Sequence, residues 1–222
     1  MKRMIASAAA LLAATATPVY AQDGQRQIQV KVLGSAVLTD GRITRVDRDV
    51  VGLPATLQTR SNDNAVPTVA VEYFFSDRIS AETICCMTQH DVDAVAGLPG
   101  AELVANAKVV PATVTVKYHV PLGAAKPYVG VGPAYFLWLD SKPGAATMPL
   151  GVTRQTLSDE LGLVVQTGVD VPLNSRGLGL SLDAKRYFIN TTARWYAGQT
   201  VAIETRHTLD PWVLSAGLAW RF

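Results

Sequence analysis

The amino-acid sequence predicts an all-β protein, an eight-stranded antiparallel transmembrane β-barrel with short periplasmic turns and four long extracellular loops. Three observations lead there: a high apolar content, no apolar run long enough for a membrane helix, and a two-residue hydrophobic period. Of the 222 residues, 49% are hydrophobic and 17% are charged, which excludes a disordered chain. The two cysteines are adjacent, so a disulfide scaffold is excluded as well.

The N-terminus is typical of a secretory signal peptide. Lys2 and Arg3 precede a short apolar stretch, and Val19-Tyr20-Ala21 suits signal peptidase cleavage after Ala21. The alternative, an anchoring helix, would need about 20 apolar residues, and this stretch is shorter. We therefore expect residues 1–21 to be removed and residues 22–222 to form the barrel.

Without the signal peptide, the chain carries no net charge. Residues 1–21 contain two of the 20 basic residues and none of the 18 acidic residues, which leaves 18 of each sign. A neutral, exported chain lacks the basic surface on which nucleic-acid binding depends. Nucleic acid is therefore not an expected partner.

The strand pattern is clearest at the C-terminus. Apolar residues occupy every second position from Trp212 to Phe222, and small or polar residues fall between them. Ten residues of tilted strand cover about 25 Å, which is the height of the apolar band of a membrane barrel. Aromatic residues at both ends of the row indicate the two membrane interfaces.

The same period recurs upstream and gives eight strands in all. In residues 127–138 both faces are apolar, so the inward face of that strand is not assigned. The other strands are expected at residues 27–32, 68–75, 81–87, 112–120, 161–171 and 178–185, besides the closing segment. Short turns at 76–78, 122–124 and 174–176 alternate with long connections at 40–65, 88–107, 139–156 and 190–200. This alternation is typical of outer-membrane barrels.

The residues expected inside the barrel are mostly charged or polar. They are Lys31, Glu72, Glu82, Lys117, His119, Gln166, Asp170, Asp183, Lys185 and Arg221. Acids and bases roughly balance, and an eight-stranded barrel is just wide enough for side chains to fill it. We favour a paired polar plug that closes the lower barrel, and an ion path is the alternative.

Pro111 interrupts the fourth expected strand. A proline offers no N–H to the neighbouring strand, and an unpaired backbone group is costly in lipid. One interpretation is a strand that begins at Pro111 above the bilayer; the other is a lateral gap in the wall at the level of the outer leaflet. The residues that would make such a gap apolar are Leu103, Val104, Val109 and Val110.

No motif for catalysis or metal binding stands out. His90 and His207 have no carboxylate or cysteine at metal-ligand spacing, and there is no G-x-S-x-G. Cys85 and Cys86 should point to opposite faces of their strand and are interpreted as small apolar fillers. We expect no enzyme activity, no cofactor and no metal site.

Four segments in sequence order resemble the OmpW family of small outer-membrane proteins. They are Tyr73–Asp77, Pro111–His119, Lys126–Gly132 and Asp210–Phe222. The resemblance covers nearly the whole mature chain. The cysteine pair and the arginines of the first long connection, Arg42, Arg45, Arg48 and Arg60, depart from the family pattern.

The resemblance implies a hydrophobic cavity at the extracellular end of an outer-membrane barrel. Small apolar molecules would leave it sideways into the membrane and so bypass the lipopolysaccharide sugars. A structural or receptor barrel that binds a protein such as a bacteriocin, and transports nothing, is the alternative. Resemblance to other outer-membrane barrels also implies that Phe222 is read by the barrel-assembly machinery. The expected partners are thus outer-membrane lipids, lipopolysaccharide, that machinery and apolar solutes.

Overall fold

The computed structural model describes residues 27–222, so the predicted signal peptide lies outside the described residues. In chain order the strands are β1 (Ile28–Leu38), β2 (Arg42–Asp49), β3 (Gln58–Ser61), β4 (Asn64–Phe74), β5 (Ile79–Cys85), β6 (Thr88–Ala96), β7 (Glu102–His119), β8 (Lys126–Pro143), β9 (Arg154–Leu157), β10 (Glu160–Pro172), β11 (Leu178–Phe188), β12 (Asn190–Ala197), β13 (Thr200–Thr208) and β14 (Trp212–Arg221). A 3-10 helix, Ala145–Leu150, lies between β8 and β9. No helix within the described range is long and apolar enough to cross a membrane.

Eight of these strands close into a barrel. The order around the ring is β7-β5-β4-β1-β14-β11-β10-β8, and pairing of β8 with β7 closes it. Every one of these pairings is antiparallel. The predicted eight-stranded barrel is therefore confirmed. Closure removes every sheet edge from the membrane, where an unpaired backbone group has no water to bond.

Side chains alternate between lipid and lumen along each barrel strand. On β14, Ala216 and Leu218 are exposed on the outside, whereas Ser215 and Ala219 are buried inside. The structure also assigns β8, whose two faces look alike in the sequence. Its even-numbered residues face the lumen and include three small ones, Gly130, Gly132 and Ala134, while the odd-numbered residues face outward.

The four long connections contain further strands that the sequence did not reveal. They carry β2, β3, β6, β9, β12 and β13, and four of these form a second sheet in the order β2-β13-β12-β9. Together with β3, β6 and the upper parts of β7 and β8 they form a compact extracellular head. Its core contains Ile43, Leu57, Trp195 and Ile203. The head folds because alternate residues of these segments are apolar and bury one another.

Strand β7 does not begin at Pro111. It runs for 18 residues from Glu102 to His119, and Pro111 lies in its middle, paired with Phe136 of β8. The interpretation of Pro111 as a strand start is wrong because the head extends β7 upward by pairing it with β6 and β8. A proline in the middle of a wall strand removes one backbone hydrogen bond, because it has no N–H to donate to the neighbouring strand.

Candidate functional site

The half of the lumen nearest the short turns is filled by one network of ion pairs. Lys117 Nζ lies 2.9 Å from both Glu72 Oε2 and Glu82 Oε2. Lys31 Nζ lies 3.0 and 3.1 Å from the same two oxygens and 3.2 Å from Asp170 Oδ2. All five residues are buried. The network joins five barrel strands, because each buried charge needs an opposite charge beside it.

The upper layer of this network is organised around Asp183. Lys185 Nζ lies 2.7 Å from Asp183 Oδ1, and Tyr128 donates its hydroxyl to Asp183 Oδ2 at 2.7 Å. The Lys117 ammonium lies over the Tyr128 ring, with Nζ 3.6 Å from the ring centroid. Gly168 makes room for Tyr128, since a Cβ there would lie 2.4 Å from the phenol oxygen. The aromatic ring thus seals space that charged side chains leave open.

The network ends on the turn side at His119 and Arg221. His119 Nε2 lies 2.9 Å from Glu72 Oε1, and the Arg221 guanidinium lies 3.7 Å from the centroid of the Phe74 ring. A cavity of about 170 Å³ opens on this side and is lined in part by His119, Asp170 and Arg221. The charged network therefore stands between this periplasmic cavity and the upper lumen.

The other half of the lumen is apolar. It contains a cavity of about 90 Å³, enough for several water molecules. Lys185 and Tyr187 form its floor, at the top of the charged network. The apolar lining includes Val37, Ile84, Val109, Pro111, Phe136 and Trp138.

The wall beside this cavity is interrupted at Cys86 and Met87. Pairing of β5 with β7 stops at Ile84, and pairing of β6 with β7 resumes at Thr88 in an unchanged register, which places Cys86 opposite Pro111. Neither Cys86 nor Met87 has a strand partner among the residues described. Cys86 lines the cavity, and Met87 points outward and is 55% exposed.

The hydrogen-bond alternation explains the interruption on the β7 side. His119 N donates to Arg78 O at 2.7 Å, so odd-numbered residues of β7 direct their N–H groups toward β5 and β6. Pro111 is one of these positions and has no N–H. The carbonyl of Cys86 therefore lacks the donor that the ladder would otherwise supply.

A second proline has the same effect on the other side. Phe75 N donates to Ile79 O at 2.9 Å, so odd-numbered residues of β4 direct their N–H groups toward β5. The register that pairs Val69 with Cys85 places Pro67 opposite Met87. Pro67 and Pro111 thus flank one unpaired segment. We call Cys86–Met87 with these two prolines the seam.

The residues predicted for a solute path do not all lie together. Val109 and Pro111 line the cavity. Leu103 and Val104 are buried in the core of the head, where the Trp195 indole donates to the Leu103 carbonyl at 3.0 Å. Val110 points to the outside of the barrel because it alternates with Val109 and Pro111. The register that β5 and β6 share with β7 places it opposite Met87, so it borders the seam on the outer side of the wall.

Sequence reasoning missed Pro67, Tyr128 and the inward face of β8. The signal for Pro67 was present, since it directly precedes an apolar alternation just as Pro111 does. Tyr128 had no such signal, because both faces of its strand are apolar. Phe222 points outward and is 64% exposed, and its N–H donates to Ile28 O at 2.7 Å.

The two histidines of the head are held neutral by burial. The pKa of His207 falls to about 4 because the ring is buried away from water. Burial likewise lowers the pKa of His90, which lines the top of the cavity and contacts Asn62 O at 2.7 Å through Nδ1. Cys85 and Cys86 are free thiols on opposite faces of the wall.

Known outer-membrane proteins are similar to this chain in sequence and in fold. The sequence model of the OmpW family matches residues 22–222. The chain belongs to the OmpW family. An uncharacterized outer-membrane protein, y4mB of Sinorhizobium fredii, is 31% identical over 87% of this chain and 79% of its own. Outer membrane protein W of Vibrio cholerae is 28% identical over the full length of both chains.

Solved structures share the OmpW-family fold. The outer membrane protein OprG from Pseudomonas aeruginosa superposes with a TM-score of 0.75 at 22% identity, covering 89% of this chain and 97% of that chain. The outer membrane protein AlkL gives a TM-score of 0.66 at 19% identity, covering 91% and 93%. This OmpW-family barrel is thus an integral protein of the bacterial outer membrane, embedded in its lipids. Both relatives are outer-membrane barrel proteins.

Proposed function

We propose that this barrel facilitates passive uptake of small hydrophobic molecules, which enter the upper cavity from outside and leave sideways through the seam. The observation that carries the proposal is the contact between an apolar cavity and an unpaired segment of wall. Cys86 and Pro111 belong to both. The seam lies where two backbone hydrogen bonds are missing, so moving Met87 aside breaks little structure.

The charged network supports a sideways rather than a downward route. A solute moving toward the periplasm would have to separate Lys31 and Lys117 from Glu72 and Glu82. Separating one buried ion pair costs about 3–5 kcal/mol. An apolar solute offers these groups nothing in return, whereas the membrane beyond Met87 dissolves it readily. The network therefore acts as the floor of the route.

The proposed partners follow from this location. Outer-membrane lipid receives the solute, and the lipopolysaccharide sugars are the polar layer that the route bypasses. We also propose that the barrel-assembly machinery reads Phe222, whose ring projects outward from the end of the β14 ladder.

The direct test measures uptake of a labelled apolar solute and a labelled sugar by cells that lack the protein and by cells in which it is restored. Faster uptake of the apolar solute alone is the expected result. Equal uptake of both solutes with and without the protein would overturn the proposal.

Restoring the missing hydrogen-bond donors tests the seam itself. In the double variant Pro67→Val and Pro111→Val, N–H groups face the carbonyls of Met87 and Cys86. Opening the seam then breaks two additional hydrogen bonds of about 1 kcal/mol each, which predicts roughly thirtyfold slower uptake. Unchanged uptake by the folded double variant would place the exit elsewhere.

A third wall proline provides the matched control. Val120 N donates to Pro127 O, so odd-numbered residues of β8 direct their backbone groups toward β7. Pro133 is one of these residues and lies opposite Val114 in that register, but it has no N–H to donate. Pro133 points into the lipid and does not line the apolar cavity. Pro133→Val should therefore restore a wall hydrogen bond without slowing uptake.

A receptor role is the second candidate function, and the head favours it. The outer surface of its four-stranded sheet carries Arg45, Arg154, Arg194 and Arg206 on a rigid support. Arg45 and Arg206 pair with Asp47, and Arg194 pairs with Glu204, so this surface presents charges of both signs. Such a surface suits a protein partner with a complementary charge pattern. Two results together would favour this function over transport. The four Arg→Gln changes would abolish partner binding, and no strain would show protein-dependent uptake of the apolar solute.

A further inference from the structure

Almost every polar side chain around the apolar cavity is bonded to another part of the protein. Ser35 Oγ and Ser215 Oγ lie 2.7 Å apart, and Thr88 Oγ1 lies 3.0 Å from His90 Nε2. Thr191 Oγ1 donates to Ser158 O at 3.0 Å. These groups are satisfied internally, so they present little polarity to a molecule in the cavity.

Two polar atoms of the lining are exceptions. Trp138 Nε1 is buried and makes no hydrogen bond to any residue between 27 and 222. Thr68 Oγ1 is buried as well, and its one polar neighbour within that range is the Cys86 sulfur, which is a weak acceptor for the hydroxyl. A buried polar group without a partner costs about 1–3 kcal/mol, so a ligand that satisfies it gains that much affinity.

The two atoms lie at successive levels of the route. Trp138 pairs with Val109, one inward step above Pro111. Thr68 lies at the height of the seam, because the register of β4 with β5 places it opposite Cys86. A solute that descends from the head therefore meets the indole first and the hydroxyl where it leaves the barrel.

The chemistry of these atoms defines what they would bind. An indole N–H is only a donor, and a threonine hydroxyl can donate as well as accept. Both can therefore bind one acceptor oxygen on an otherwise apolar molecule. A pure hydrocarbon would leave both atoms unsatisfied, and a sugar would bring far more polar groups than the cavity can bond.

We infer that the cavity selects small apolar molecules carrying a single hydrogen-bond acceptor, such as a ketone oxygen, over hydrocarbons of the same size. Trp138 Nε1 binds the oxygen in the cavity, and Thr68 Oγ1 takes it over at the seam. This inference rests on the proposed uptake function and specifies its substrate class.

The test compares 2-octanone with nonane, two probes of equal heavy-atom number. Protein-dependent uptake of each is measured in cells lacking the protein and in restored cells, after subtraction of spontaneous permeation. One net hydrogen bond is worth about 1 kcal/mol, so we expect the protein to favour 2-octanone about fivefold. Trp138→Phe and Thr68→Val should each lower that ratio, because they keep the shape and remove the polar atom.

Trp212→Phe is the matched control. It removes an indole from the outer membrane interface, away from the lumen, and should leave the ratio unchanged. A second measurement needs no substitution: in the 15N-labelled wild-type protein, the Trp138 indole N–H resonance should shift on addition of 2-octanone but not of nonane.

The outcomes separate this inference from the function on which it rests. Protein-dependent uptake of neither probe would overturn both. Equal uptake of the two probes, or a ratio that Trp138→Phe and Thr68→Val leave unchanged, would overturn the acceptor inference and leave hydrophobic uptake standing. An indole resonance insensitive to 2-octanone would also count against it.

Discussion

The two halves of the lumen differ in what occupies them: paired charges in the lower half and an apolar cavity in the upper half. On β7 the inward row runs from His119 and Lys117 at the turn end to Pro111 and Val109 at the head. The lower half fills its space with charges that neutralise one another, and the upper half keeps an apolar cavity. The wall around both is one barrel, so the inward side chains decide which half is charged and which is apolar.

The comparison shows how a narrow barrel can be closed and accessible at once. A buried charge needs partners at fixed distances, so the charged network is rigid and leaves no room for a guest between its members. An apolar surface has no such requirement and accepts any molecule that excludes water. The seam lies in the apolar half, where opening the wall separates no ion pair.

The largest effect expected is loss of a carboxylate from the lower half. Glu82 contacts Lys31, Lys117 and Lys185 within 3.2 Å, so Glu82→Ala leaves three buried ammonium groups short of a partner. We expect the free energy of unfolding to fall by about 3–5 kcal/mol in urea titrations in detergent. Val109→Ala, a truncation in the upper half, should cost less. Equal losses would contradict the division of the lumen.

The outer face of the wall should not share this division, since it is apolar at both levels. Ala216 faces lipid midway along β14, and Ala216→Arg should lower the free energy of unfolding by about 2–4 kcal/mol. Ala216→Leu is the control and should be nearly neutral. The adjacent Gly217 would be a poor control, because a Cβ there would lie 2.1 Å from Val32 O. Tolerance of arginine at 216 would contradict the assigned facing.

Acid should weaken the head, where histidine has no carboxylate partner. His207 is buried with a pKa of about 4, whereas an unfolded histidine titrates near 6.5. The unfolded chain therefore takes up a proton first as the pH falls. The stabilisation is complete above about pH 6.5, is lost progressively toward pH 4, and the loss at pH 5 is about 2 kcal/mol.

Unfolding titrations at pH 7 and pH 5 would measure this loss. The His207→Gln variant should show a smaller difference between the two pH values than the wild-type protein. An identical pH dependence in both proteins would assign the effect to other groups.

The smallest effect concerns one hydroxyl in the apolar half. Val109→Thr keeps the size of the side chain and should cost about 1 kcal/mol of stability, since the hydroxyl is buried in the cavity lining. It should also slow uptake of an apolar solute. Val129→Thr makes the same change on the lipid face and should leave uptake unchanged. Slowing by both variants would indicate a general effect on the barrel.

The sequence predicted the barrel because the two-residue period survives in each strand. It also identified the lower charged set, since Lys31, Glu72 and Lys117 interrupt apolar rows at inward positions. It could not assign β8, where the inward Gly130 leaves space for Lys117 and Gln166 from other strands. The sizes of those partners, and not the polarity of β8, decide its facing.

The strands of the head were not predicted because they are short and pair over long distances. Strand β2 pairs with β13, which is about 150 residues away, and β9 pairs with β12. Segments such as Thr191–Tyr196 alternate between buried and half-exposed residues, but four such segments must meet before any of them buries an apolar face.

The sequence by itself determined the compartment, the barrel, the alternation of lipid and lumen, and the charged set of the lower lumen. These follow from local period and composition, which a single strand displays. Only the tertiary structure decided which charges pair and where the wall is weak. Pro67 and Pro111 lie on different strands, and they flank the same two residues because closure of the barrel brings their strands to either side of Cys86–Met87.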